Sequence, residues 1–552
     1  MFDTAPPDAA RLPALDRRTL FKTGVSATGL FAVPLAAQMR EQGFTHGIAS
    51  GEPTANGVLL WTRFVAKQDT PLAWSVTDPA TGREVAAGST SASPQRDWCA
   101  KAEVSGLAPG TWYYYRFTAP DGSQSEIGRT RTLPEGPTAR WRMAVFSCSN
   151  LGFGWFNAYR HAAETNAFDM VAHLGDYLYE YELGNYPSRE QFEPGRVLTP
   201  ETETVSLADY RLRHADYRRD PDLQRLTQLY PMIMVWDDHE SANDSWSGGA
   251  QNHEPDTEGP WDVRKAAAIR AYREWLPVSD APYKTYEIGD LATIFALDTR
   301  LFGRDEQFDF GALIGSERAP DRIAQAFAAF RDGDYADPAR QLLGAEQEAW
   351  LFDGLQSSRR TGKTWQVLAQ QVIMGKLKTP TGLLESLPAD VPDYVRQRIL
   401  LGAAAAREEL PLNMDAWDGY PAARDRLLAA AREADADLVV LSGDSHNGWG
   451  FDLDHAGERA GVEFAGHSVT SPGFEGYLPT LPPERLARAL REANPQLAWV
   501  DTARRGYMAV ELTPERASSE YRFIGNVRDK ASGVTGTQRL TTLARQHRLT
   551  VG

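Results

Sequence analysis

The chain has 552 residues, 42% of them apolar and 15 of them Trp, enough to bury a large core in two or more domains, which excludes a disordered protein. Its 74 acidic residues against 58 basic ones leave a net charge of -16, which repels polyanions and excludes stable nucleic-acid binding unless positive charge is gathered locally. Two cysteines, Cys99 and Cys148, are too few for a disulfide framework.

In chain order, residues 1–38 read as a twin-arginine signal peptide. A polar leader precedes Asp16-Arg17-Arg18-Thr19-Leu20-Phe21-Lys22, and a mildly apolar stretch runs from Thr23 to Ala37. That stretch contains Gly24, Gly29 and Pro34 and is shorter than the ~20 residues that span a bilayer. The expectation is therefore handover to the twin-arginine export machinery and a periplasmic or secreted location, with no permanent membrane anchor.

Residues 39–134 are strand-like. Gly57-Val58-Leu59-Leu60-Trp61, Leu72 to Val76 and an alternating Trp98, Ala100, Ala102, Val104 face are separated by Gly, Pro and Asp turns, as in a small antiparallel immunoglobulin-like or fibronectin-like sandwich. Leu107 to Tyr115 predicts a tyrosine corner, a Tyr hydrogen-bonded back to the loop before it. After Pro134-Glu135-Gly136-Pro137 the rhythm becomes apolar runs alternating with amphipathic stretches, the mark of an α/β domain whose strands are buried on both faces. The runs are Trp141 to Phe146, Met170 to Leu174, Met232 to Trp236, Leu291 to Leu297, Trp365 to Leu368 and Leu438 to Leu441. Helices are expected over Trp155 to Glu164, Leu207 to Leu229, Val263 to Trp275 and Ala345 to Gln356. The larger domain is set at 138–530, leaving 531–552 as a C-terminal tail. Three polar insertions, Leu183 to Thr204, Arg304 to Ala336 and Lys376 to Tyr420, are expected to rim a crevice.

Chemistry collects just after the apolar runs, in Ser147-Cys148-Ser149-Asn150, Gly175-Asp176-Tyr177-Leu178-Tyr179, Asp237-Asp238-His239-Glu240, Asp298-Thr299-Arg300 and Gly443-Asp444-Ser445-His446. Strand carboxyl ends open into the ligand crevice of α/β sheets, so these tails are expected to converge. Taken singly, each has a bland reading: Cys148 as a small core residue, Tyr179 as packing with Tyr177 and Tyr181, Asp237 as a brace for a neighbour.

Together, Phe-Ser-Cys, His-Leu-Gly-Asp-Tyr-Leu-Tyr-Glu-Tyr, Trp-Asp-Asp-His-Glu, Leu-Asp-Thr-Arg and Ser-Gly-Asp-Ser-His resemble the signature series of the PhoD family of alkaline phosphatases and phosphodiesterases. So do His46 to Pro53 with Leu60-Trp61-Thr62-Arg63 near the start, and Arg505-Gly506-Tyr507 with Thr513 to Arg516 near the end. The resemblance implies a calcineurin-like metallophosphatase sandwich of two central sheets flanked by helices, behind the all-β domain. It implies a metal-dependent phosphoesterase acting on phosphate monoesters, diesters or both. A phospholipase D-like diesterase on lipid head groups is the alternative within enzymes, and an inactive exported binding protein the alternative outside them.

The same resemblance implies Cys148, Asp176, Tyr179 and His446 as ligands of a trivalent iron, with Asp176 bridging to a second ion held by Asp238, Asn243 and Asp444. That second ion is calcium by resemblance, with Mn²⁺ or Zn²⁺ open. His239 is expected to bind the phosphoryl group or protonate the leaving oxygen, and Arg300 to fork onto a non-bridging oxygen. The metal-activated hydroxide attacks phosphorus in line, with a phosphate ester as substrate.

Overall fold

The structure is a computed structural model that describes residues 42–387 and 391–552; the expected signal peptide lies outside the described residues. Twenty-one strands form three sheets. The first seven are β1 (Gly43–Gly51), β2 (Val58–Val65), β3 (Thr70–Thr77), β4 (Glu84–Ala92), β5 (Cys99–Val104), β6 (Trp112–Thr118) and β7 (Gly128–Arg131). The next seven are β8 (Trp141–Phe146), β9 (Met170–His173), β10 (Pro231–Met234), β11 (Lys284–Ile288), β12 (Ala292–Ala296), β13 (Trp365–Ala369) and β14 (Leu438–Ser442). The chain ends with β15 (Gly448–His455), β16 (Glu458–Ala465), β17 (Leu497–Asp501), β18 (Arg505–Leu512), β19 (Arg516–Ile524), β20 (Val534–Leu543) and β21 (Thr550–Val551).

A ten-stranded sheet, β21-β20-β19-β18-β8-β9-β10-β1-β2-β5, faces a seven-stranded sheet, β11-β12-β13-β14-β16-β15-β17. The strands β8, β9, β10 and β1 pair in parallel, as do β12, β13, β14 and β16. Burial on both faces explains why the central runs are largely apolar. Along β8, Met143 and Val145 join Ala172, Ile294, Val439 and Phe464 in the core between the sheets, while Ala144 and Phe146 face the outer core with the helix Asn157–Thr165. Helices cover both outer faces, giving the expected metallophosphatase sandwich.

The all-β domain is also as expected, with one difference in how it is joined. A four-stranded sheet, β4-β3-β6-β7, packs on β1, β2 and β5 through Leu60, Leu72, Val76, Tyr115 and Phe117. Tyr113 closes the tyrosine corner, its hydroxyl accepting from Ala108 N at 2.9 Å. Yet β1 pairs with β10, Ser50 opposite Pro231, so one sheet runs through both domains, and Trp61 buries against Trp275. Two further expectations change. The residues expected as a tail contribute β20 and β21 to the ten-stranded sheet. The single helix expected over 207–229 is two, Leu207–Arg218 and Pro221–Leu229, because Asp220 caps the second by accepting from Asp222 N and Leu223 N.

Candidate active site

The carboxyl ends of β8, β9, β10, β12 and β14 converge, and the loops that follow them are stitched to one another. Cys148 N donates to Gly175 O, Ser149 N to Asp176 O and Gly443 N to Gln371 O. The buried Glu240 carboxylate accepts from the backbone N–H groups of Asp176, Tyr177 and Asp237, locking the loops after β9 and β10 together. Cys148, Asp176, Asp444 and His446 all hold positive φ, between 52° and 60°. Side-chain-bearing residues avoid that region unless the surroundings impose it, and such strain gathers at functional sites.

Three donor groups result, each with its ligand atoms within 4.8 Å of one another: Cys148, Asp176 and His446; Asp176, Asp238 and His239; and Asp237, Asp238 and Asp444. Asp176 is common to the first two and Asp238 to the last two, so the groups form one chain of donors. Tyr179 belongs with the first: its hydroxyl donates to Asp176 Oδ2 at 3.0 Å and lies 3.2 Å from His446 Nε2. His446 Nδ1 sits 2.9 Å from Pro472 O, a pure acceptor, so Nδ1 carries the proton and the Nε2 lone pair faces Asp176 and Tyr179. By the same reasoning His239 Nδ1–H donates to Glu180 Oε2 at 2.7 Å and turns Nε2 toward Asp176 and Asp238.

The electrostatics ask for cations. Burial pushes the Cys148 thiol and the Tyr179 phenol well above their ordinary pKa values, and the neighbouring Asp176 charge adds to both. Asp176 is raised by burial and Asp444 by burial together with Asp237 and Asp415. Against the carboxylates of Asp176, Asp237, Asp238, Asp244, Asp415 and Asp444 stand Arg300, Arg304 and His239. The buried Asp176 Oδ1 and Asp237 Oδ2 have no hydrogen-bond partner. Unpaired buried carboxylate oxygens are costly in an apolar interior, and a metal ion held at these groups would satisfy them. The donor set therefore fits bound metal.

Two expected residues are engaged differently, Arg300 within the site and Asn243 beside it. Arg300 is fully buried, with Nε on Asp237 Oδ1 at 2.5 Å, Nη1 on Asp415 Oδ1 at 2.7 Å and Nη2 3.4 Å from Asp444 Oδ1. Its fork is committed to the protein's own carboxylates and is not free for a phosphoryl oxygen. Asn243 is outside the donor groups: its Nδ2 donates to Gln251 Oε1 at 2.9 Å, and only its backbone N–H reaches Glu180. Asp237, expected as a brace, is a member of the third group as well as a partner of Arg300.

Sequence reasoning missed Glu180 and Asp415. Glu180 follows Asp176 by four residues within a run of alternating tyrosines, and the period-two spacing that marked those tyrosines as one face hid the carboxylate between them. Asp415 lies in the third insertion, far from any strand tip, and reaches the site only because the helices Pro320–Asp332 and Asp393–Arg407 pack through Phe327, Phe330, Ala405, Leu410 and Met414.

The sequence profile of the PhoD-like phosphatase family matches residues 143–521, and that of the PhoD-like phosphatase N-terminal domain matches residues 30–134. The chain belongs to the PhoD-like phosphatase family. It is a phosphoric ester hydrolase. It is 32% identical to alkaline phosphatase D of Bacillus subtilis (strain 168) over 542 residues, covering 93% of this chain and 83% of the relative. A solved structure of PhoD superposes with a TM-score of 0.74 at 29% identity, covering 93% of this chain and 92% of the other.

Proposed function

We propose that this PhoD-like enzyme is an exported, metal-dependent alkaline phosphatase D-like esterase acting on phosphate monoesters, diesters or both. The observation that carries the reading is the continuous chain of three donor groups sharing Asp176 and Asp238. Cys148, Tyr179 and His446 with Asp176 form a mixed sulfur, phenol and imidazole set suited to a trivalent iron. Asp237, Asp238 and Asp444 form an all-oxygen set suited to a harder ion such as Ca²⁺, with Mn²⁺ or Zn²⁺ as alternatives. Bound metal supplies Lewis acidity for the phosphoryl oxygens and a water of lowered pKa as nucleophile.

The chain's own residues do the rest. Glu180 fixes the His239 tautomer, so His239 Nε2 is the ring atom at the site, and together the nearby carboxylates raise the His239 pKa well above its ordinary value against the opposing effect of burial. With Glu180 holding Nδ1–H, the His239 Nε2 edge aimed at the donor chain is placed to bind the phosphoryl group or to serve the departing alkoxide. Arg300 holds Asp237, Asp415 and Asp444 in position, so the phosphoryl oxygens are left to the metal ions and His239.

The test is hydrolysis of a nitrophenyl phosphate monoester and of the bis-nitrophenyl diester by the mature chain, with and without chelator, beside Asp176→Asn. Turnover is expected to be abolished by chelator, restored by metal, and reduced more than ~100-fold by Asp176→Asn, beyond what an outer-sphere change costs. Turnover by chelator-treated protein overturns the metal reading. The export route rests on Arg17-Arg18 and the apolar stretch after them. Among the described residues no helix is long and apolar enough to cross a membrane. Replacing both arginines by lysine is expected to retain a fused reporter in the cytoplasm; unchanged export overturns that route.

A further inference from the structure

The motif Arg505-Gly506-Tyr507 at the start of β18 touches no donor directly, yet each of its residues is built against a segment that carries one. Arg505, itself buried, forms an ion pair with the partly exposed Glu475, and its Nη1 also donates to Arg504 O. Glu475 lies in the segment after β16, residues 467–475, which lies across the sulfur, phenol and imidazole half of the site. In that segment Pro472 O receives the His446 Nδ1 proton. Ser471 Oγ lies 2.8 Å from the Tyr179 hydroxyl and 3.2 Å from Cys148 O. The Tyr179 hydroxyl donates its proton to Asp176 Oδ2, so the Tyr179 oxygen accepts the single Ser471 proton, which Cys148 O at the longer distance can only share. Val469 N donates to Ser147 O and Thr470 Oγ1 to Asn150 O, so both ends of the Cys148 loop are tied to the same segment.

Gly506 and Tyr507 complete the frame. Gly506 N donates to Ser468 O. With φ at 154°, a Cβ here lies 1.8 Å from Arg522 O and 2.7 Å from His467 Nε2, so only glycine lets β18 approach this segment. Tyr507 stacks on Phe146 with ring centroids 5.1 Å apart, and its hydroxyl is held by His161 Nδ1 and Arg522 Nη1, each at 2.9 Å. Phe146 is two residues before Cys148.

We propose that Arg505-Gly506-Tyr507 is the positioning element of the Cys148, Tyr179 and His446 half of the site, acting through the Arg505–Glu475 pair on Ser471 and Pro472 and through Tyr507 on the strand that delivers Cys148. This rests on the metal reading above and adds to it a selectivity: the Asp237, Asp238 and Asp444 half is held by Arg300 instead. The residues concerned position ligands and touch no substrate.

The experiment compares the wild-type protein with Arg505→Met, Arg505→Lys and Glu475→Gln, each stripped with chelator and reloaded with Fe³⁺ and Ca²⁺. The readouts are bound iron, bound calcium and the phenolate-to-iron absorption band. Iron affinity is expected to fall ~10–100-fold in Arg505→Met and Glu475→Gln, the range for outer partners of ligands. The band shifts in both, calcium uptake is unchanged, and Arg505→Lys falls between. Glu475 is partly exposed, so Glu475→Gln keeps the test decisive if Arg505→Met does not fold. Unaltered iron affinity and absorption in folded Glu475→Gln overturns the proposal. Equal loss of both ions also overturns it, because that is the signature of general loosening. A wild-type protein that takes up neither ion overturns the metal reading, and the positioning role with it.

Discussion

The two halves of the site are built on opposite principles. The Cys148, Tyr179 and His446 half is held by neutral hydrogen bonds, Ser471 donating to Tyr179 and Pro472 O accepting from His446, and two of its donors are a thiol and a phenol that burial keeps protonated. The Asp237, Asp238 and Asp444 half is held by a protein cation, Arg300, placed among carboxylates of which Asp237 and Asp444 are kept at high energy by burial and by their acidic neighbours. The first half meets a cation with protons on a thiol and a phenol, the second with carboxylates of unlike protonation, Asp237 and Asp444 raised and Asp238 held low. Metal binding to the first half would displace the thiol and phenol protons and so tighten as pH rises.

Removing the internal cation is the most severe way to break this comparison. Arg300→Met leaves Asp237 buried without its cation and Asp415 with Arg304 alone, and breaking a buried pair from one side costs about 3–5 kcal/mol. Thermal unfolding of the chelator-treated protein is expected to shift down sharply, with partial recovery when Ca²⁺ is added because a second cation replaces the lost charge. If Arg300 instead served the substrate, the variant would keep its stability and lose only affinity for phosphate. A smaller effect is expected from Glu180→Gln, which keeps the shape but removes the charge beside His239. Turnover should fall ~10–100-fold. The loss should be larger for alkyl phosphates than for nitrophenyl phosphate, whose leaving group needs no proton. Equal losses for both esters would remove His239 from the proton-transfer role.

How much of this was legible in the sequence follows from what each residue depends on. Strands buried on both faces must be largely apolar, so β8, β9, β10, β12, β13 and β14 are visible as apolar runs interrupted only by single residues such as Arg142, Thr293 and Gln366. Their polar tails locate the site, because a parallel sheet delivers strand ends to one edge. What is not legible is direction. Arg300 stands at a strand tip, as a substrate-binding arginine would, but its side chain turns inward because Asp415, 115 residues later, and Asp237, 63 residues earlier, are waiting there. The extension of one sheet through both domains was equally hidden, since β1 has the same alternating apolar pattern whether its open edge faces solvent or β10.

Asn243 gives the mildest and most selective test. Chain order places it among the oxygen donors, three residues after Glu240, and an amide oxygen is an acceptable ligand for a hard cation. In the structure the loop after Ser241 turns so that the backbone N–H of Asn243 binds Glu180, which sends the side chain outward to Gln251. Replacing it with alanine removes one partly exposed amide pair and leaves the backbone bond intact. Stability is expected to change by no more than about 0.5 kcal/mol, with calcium affinity and turnover within about threefold of wild type, well below the loss expected for an outer partner of a ligand. A tenfold loss of calcium affinity would mean that the Asn243 side chain swings inward when the ion binds, and that the all-carboxylate description of this half holds only for the metal-free geometry.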